Sequence, residues 1–150
     1  SQGNNNWLVG SEAKLQECVA EAANRNLRLL AQQLIPNDGD VRIIVTDGQA
    51  TVALHRTAVG ATHLNNTSKG GLGTLLNIGD LAPDCLDLAI RSAHVLEHDI
   101  SGVDLIQNRD TGQWLVLEVN ASPQLIDGAC VEAKMIAFTH HLLAKAGLPH

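Results

Sequence analysis

Aromatic side chains are nearly absent. In 150 residues there is no tyrosine, one phenylalanine and two tryptophans. Proteins that hold single-stranded nucleic acid stack bases on rows of aromatics, and duplex binders present a basic face. Neither feature is here, because 10 Lys and Arg face 16 Asp and Glu for a net charge of −6. No nucleic-acid partner is expected. Long apolar runs are missing too: nothing approaches the roughly 20 residues that a membrane span needs. There is no signal-like segment, and the chain opens at Ser1 without Met, as if cut from something longer. Cysteines are few, widely spaced and odd in number, and Cys18, Cys85 and Cys130 form no C-x-x-C pair. Buried thiols in a reducing cytoplasm are the expectation, with no disulfide frame and no zinc site. The seven histidines offer no rival metal site, since His140 and His141 are neighbours and face apart on a helix.

What is present is ordinary in bulk, with 45% hydrophobic residues, and suits one domain over residues 1–150. "SEAKLQECVAEAANRN" has helical spacing behind Ser11 as N-cap. "LRLLAQQLI" reads as a strand. "VRIIVT", Asp47-Gly48 and "QATVALHR" read as a hairpin across a two-residue turn. Residues 57–73, "TAVGATHLNNTSKGGLG", show no period and read as a long loop of the functional kind. Pro83 opens a helix with Leu86, Ala89, Ile90 and Ala93 inward. "GVDLIQ" and "QWLVLEVN" make a second hairpin over Asp110-Thr111-Gly112. A last helix follows Asp127 and ends near Gly147. The fold class is α+β, with helices packed on a mostly antiparallel sheet.

Two polar features stand out in these strands. Alternation puts Trp114, Val116, Glu118 and Asn120 on one face. A three-residue loop pairing Arg109 with Gln113 sets Asp104 opposite Glu118, about 5 Å away. Opposed carboxylates repel unless a cation joins them, and magnesium prefers such oxygens, keeping water and phosphate as its other ligands. The alternative is a pair of solvated carboxylates on an outer face, or a register that slips by one. Arg42, Arg56 and Lys69 are donors suited to phosphate oxygens. A strict two-residue turn at Asp47-Gly48 pairs Arg42 with Ala53 and turns Arg56 to the other face, so a bulge, or an Arg56 that leaves the strand end, is needed for both to serve one site.

Taken in order, "GDVRIIVTDGQATVALHRTA", "NNTSKGG", "SGVDLI" and "LEVNASP" resemble the ATP-grasp ligases, and most closely the RimK-like glutamate ligase group. The resemblance implies the C-terminal subdomain of an ATP-grasp fold, without the family's N-terminal domain and lysine-bearing strand. It implies an enzyme that phosphorylates a carboxylate with ATP and lets an amine attack the acyl phosphate, forming a C–N bond. Asp104, Glu118 and Asn120 match the magnesium ligands, for two ions that manganese can replace. Arg42, Arg56 and Asn66 match catalytic positions around the phosphates and the carboxylate substrate. Gln32, Gln33, Leu34 and Ile35 match the hinge that meets adenine, and Lys69 falls in the Gly-rich substrate loop. Implied partners are ATP, an amino acid, a peptide or protein carboxylate, the missing N-terminal part and further copies of the chain. Gln33 stands where the family commonly has Glu, Gln124 where it has Gly, and asparagines follow "SQG". The alternative is a nucleotide-binding or regulatory module of the same fold without turnover.

Overall fold

The computed structural model describes residues 6–57 and 72–149. The chain forms two compact units, Ser1–Ile35 and Pro36–His150. In the first, α1 (Glu12–Asn24) starts at Ser11, whose hydroxyl accepts the Lys14 amide, and buries Cys18 and Ala22. Trp7 donates its indole N–H to Glu21. Residues 27–35, expected as a strand, carry no strand pairing, and Leu30 and Leu34 stay exposed. A strand needs a ladder partner for its backbone groups, and α1 is the only regular element described in this unit.

The second unit is a five-stranded antiparallel sheet ordered β3-β2-β1-β4-β5. Its strands are β1 (Asp40–Thr46), β2 (Gln49–Thr57), β3 (Leu72–Leu76), β4 (Ile100–Gln107) and β5 (Trp114–Asn120). Helix α2 (Pro83–Val95) covers one face and α3 (Val131–Lys145) packs on β1 and β2 from the other. Strand β3 emerges from what the sequence presents as the end of the long loop; "LGTLL" is too short to show a period by itself.

Alternation in β1 divides the core. Val41, Ile43 and Val45 join Ala53, Val103 and Leu105 under Cys85, Ala89 and Ala93 of α2. Ile44, Val52 and Leu54 point the other way, towards Ala133 and Ala137 of α3. Burial pushes the Cys85 thiol up to about 11, so it serves as packing. Cys18 is buried as well, while Cys130 is half-buried. At the start of β1, Gly39 has φ +122, and an added Cβ would lie 2.5 Å from the Arg56 carbonyl oxygen, so no side chain fits there.

The β1–β2 turn has Asp47 and Gly48 both at positive φ, the geometry of a type I′ hairpin. Asp47 also ties α3 to this turn through Lys145 Nζ at 2.8 Å and His141 Nδ1 at 2.7 Å. These contacts, the Lys145 hydrogen bond first, hold its carboxyl below the usual 3.8. A lowered folded value gives stability that is present above the unfolded value and is lost as pH falls through the folded one. Asp47→Asn, which tolerates the left-handed backbone, is therefore expected to lower Tm at neutral pH by at most about 4 °C. Its thermal melts should converge with those of the parent chain as pH drops below 3.8.

Candidate functional site

The sheet face beneath α3 carries the charged residues. In β1–β2 the register shifts by one residue between Ile44 and Val45, so Arg42 pairs with Leu54 and Asp40 with Arg56. Of the two ways to bring the arginines together, the chain uses the bulge: Arg56 stays in β2, and the shift turns both arginines to the same face. In β4–β5 a second shift lies between Asp104 and Leu105. It leaves Leu117 unpaired and separates Trp114 and Val116, which follow Leu105 onto the α2 face, from Glu118 and Asn120 on the charged face. The expectation that all four share one face is corrected by this bulge. The loop also differs: Asn108 N–H donates to Gln113, closing four residues where three were expected. The longer loop and the bulge compensate, and Asp104 lies directly opposite Glu118, with Asn120 opposite Gly102.

Asp104 is 5% exposed and sits between two guanidiniums. Arg42 donates from Nε to Oδ1 at 2.7 Å and from Nη2 to Oδ2 at 2.8 Å, and Arg56 Nη2 reaches Oδ2 at 2.9 Å. Arg56 in turn donates to both oxygens of Asp40 at 2.6 and 2.7 Å. The result is a neutral chain of two carboxylates and two guanidiniums, nearly out of water. Burial raises the Asp40 carboxyl, yet two charge-assisted bonds this short are those of an ionised pair. Burial also works against the charge on Arg56, but Asp40 and Asp104 outweigh it and hold the guanidinium protonated.

Glu118 is exposed, with no polar partner among the described residues. The Asn120 side-chain nitrogen is buried and unpartnered. An amide with one unsatisfied edge facing two carboxylates suits either a phosphate oxygen on its N–H or, turned over, a cation on its carbonyl. Among the described residues no three His, Cys, Asp or Glu side chains form a closed metal cluster. Two carboxylates and an amide are an incomplete cage, which suits magnesium, an ion that keeps several waters and phosphate oxygens.

Two further residues complete the face. Asp40 could have been noticed two positions before Arg42, on the same side of a strand. Lys134 of α3 is buried to 3% exposure. Its Nζ donates to the carbonyls of Gln124 and Asp127 at 2.5 and 2.6 Å, fixing the segment after Asn120. Burial is the main reason its pKa is lowered; Asp127 opposes this and nearby Arg42 adds to it. Pro123 of the same segment is buried over Gly102, where an added Cβ would meet its Cβ at 3.0 Å.

A family model described as the RimK-like ATP-grasp domain matches residues 1–138. The chain belongs to the RimK-like ATP-grasp family. It is 34% identical over 122 residues to a probable alpha-L-glutamate ligase of Syntrophotalea carbinolica, covering 79% of this chain and 38% of that protein. A probable alpha-L-glutamate ligase of Aeromonas salmonicida is 32% identical over 133 residues, covering 83% and 43%. The chain thus spans about two-fifths of the length of these curated relatives. Among solved structures, the Chryseobacterium gregarium RiPP-associated ATP-grasp ligase in complex with ADP and a leader and core peptide matches with TM-score 0.60 and 16% identity, covering 95% of this chain and 43% of that one. The macrocyclase MdnC from Microcystis aeruginosa, bound with precursor peptide MdnA, matches with TM-score 0.53 and 14% identity, over 93% and 45%. These likenesses establish the ATP-grasp fold.

Within the RimK-like domain, the fold brings Arg42, Arg56, Asp104, Glu118 and Asn120 to one face of the second unit. Gln32, Gln33, Leu34 and Ile35 lie in the first unit, at the end of the irregular segment. Asn66 and Lys69, with most of the 57–73 loop, lie outside the described residues.

The ion-pair chain makes a stability prediction. Asp40→Ala removes the bidentate partner of a buried guanidinium and should cost about 3–5 kcal/mol in urea unfolding. Replacing both partners, Asp40→Leu with Arg56→Met, should recover most of that loss.

Proposed function

We propose that this chain supplies the metal- and phosphate-binding half of an ATP-dependent carboxylate–amine ligase. The observation that carries the reading is the pairing of Asp104 with Glu118 on one sheet face, with Asn120 and two arginines beside them. Asp104, Glu118 and Asn120 would hold magnesium, as one or two ions, with manganese as a substitute. Magnesium ATP, when bound, supplies the phosphoryl group that activates a carboxylate, and amine attack then releases phosphate and leaves an amide.

The protein's own contribution is positioning and charge balance, which dominate phosphoryl transfer. Arg56, anchored by Asp40, keeps a fixed positive charge under the site. Arg42, at the edge of the ion-pair chain, is placed to meet a phosphate or carboxylate oxygen in a bidentate contact. The Lys134 ammonium holds the segment after Asn120 by its carbonyls, so Asn120 starts from a fixed backbone. Gln32 to Ile35 are proposed to meet the adenine, and Asn66 and Lys69 the substrates and phosphates.

The relatives' names support an amino acid such as glutamate as the amine. The peptide-bound solved ligases support a peptide or protein carboxylate as acceptor. Association with the portion of the relatives beyond the matched stretch, and with further copies, belongs to the same proposal. No helix among the described residues is long and apolar enough to cross a membrane, and with its free cysteines a cytoplasmic setting is proposed.

The test is ADP release driven by glutamate and a peptide carboxylate, in a ligase whose matched stretch is replaced by this chain. Glu118→Gln and Asp104→Asn should each lower kcat by more than about tenfold, since bound metal contributes several kcal/mol to such steps. Retention of full activity in both variants would refute the assignment. Binding of magnesium ATP with no turnover for any amine would favour a nucleotide-binding module without catalysis.

A further inference from the structure

The two guanidiniums on Asp104 are held very differently. Arg56 is clamped from behind by both oxygens of Asp40, and its side chain is 4% exposed. Among the described residues, Arg42 makes its polar contacts with Asp104, and its side chain is 13% exposed. Its charge also sits close enough to the Lys134 ammonium to depress that group's pKa. Arg42 is therefore the loosely anchored member of a cationic cluster, kept in place by one carboxylate.

That carboxylate is nearly saturated. A carboxylate offers about four lone-pair positions, and three are taken: one on Oδ1 and two on Oδ2. A divalent cation drawn to Asp104 and Glu118 would find the inner carboxylate covered by guanidinium nitrogens, and its charge would repel both arginines. Arg56 has Asp40 to hold it back, and Arg42 has no second acceptor among the described residues.

We propose that Arg42 is a latch on the cation site. Without ligand it covers Asp104. When a divalent cation takes that carboxylate, Arg42 is released with its donors unpaired and ready for an anionic oxygen. Cation and anion binding are thereby coupled through one side chain: the cation frees the donor that the anion accepts from, and the anion stabilises the open latch. The proposal rests on the ligase reading's assignment of Asp104 and Glu118 as cation ligands. It adds the order and the linkage that this reading lacks.

The test follows arginine Nε–H resonances of the 15N-labelled chain, with Arg42→Gln assigning the Arg42 signal. Titration with magnesium chloride should move the Arg42 signal towards that of solvent-exposed arginines and leave Arg56 unmoved. Adding inorganic phosphate should shift Arg42 again. In parallel, manganese binding read by electron paramagnetic resonance should be roughly tenfold tighter in Arg42→Gln than in the parent chain, within the usual range of site-to-site coupling. Phosphate should strengthen manganese binding in the parent and not in Arg42→Gln. The latch is overturned, and the ligase reading left standing, if manganese binding is lost in Asp104→Asn yet the Arg42 signal stays still as the site fills. It is also overturned if Arg42→Gln binds no tighter than the parent. If neither the parent nor Arg42→Gln binds manganese, the latch and the metal assignment fall together.

Discussion

Asp104 of β4 lies under two guanidiniums, and the charged face is arranged around pairing that buried carboxylate. At 5% exposure this carboxylate would be costly to bury without partners. Arg56 answers this from β2, Asp40 fixes Arg56 from the start of β1, and Arg42 closes the outer side. Desolvating four charges is costly, and apolar residues of similar volume would serve stability as well or better. Their presence is better explained by what the face does than by what it holds together. A preorganised array of charges that needs no rearrangement of water is what phosphate chemistry uses.

The array depends on two bulges. Without the shift after Ile44, Arg56 would point into the apolar layer under α2. Without the shift after Asp104, Glu118 and Asn120 would follow Trp114 to that same layer. Each bulge inverts the sidedness of the strand beyond it, so an apolar pattern that suits the core at one end becomes a polar site at the other.

This explains which features were legible in the sequence. The Asp47-Gly48 turn, α2 behind Pro83 and α3 up to Gly147 follow from local chemistry, and local chemistry is what a sequence displays. Bulges are set by tertiary packing and leave no local signature. The need for one in β1–β2 could be inferred only because Arg42 and Arg56 otherwise diverge. In β4–β5 the opposition of Asp104 and Glu118 was reached through a loop one residue too short and a ladder without its bulge, two differences that cancel. The "LRLLAQQLI" stretch misled because alternation suggests a strand, while strand formation needs a neighbour. Asp40 and Lys134 carry no local signature of a role: Asp40 stands near Arg42 in "GDVR" yet matters through Arg56, and Lys134 matters through the carbonyls of Gln124 and Asp127.

The central claim is that Asp104, Glu118 and Asn120 form one cation site on this face, and paramagnetic broadening by manganese tests it most directly. In amide spectra of the labelled chain, substoichiometric manganese should erase the signals of these three residues and their strand neighbours first. The Asp47 turn, whose carboxylate is already held by Lys145 and His141, should be spared. Broadening centred on the Asp47 turn, or spread evenly over exposed carboxylates, would contradict the account.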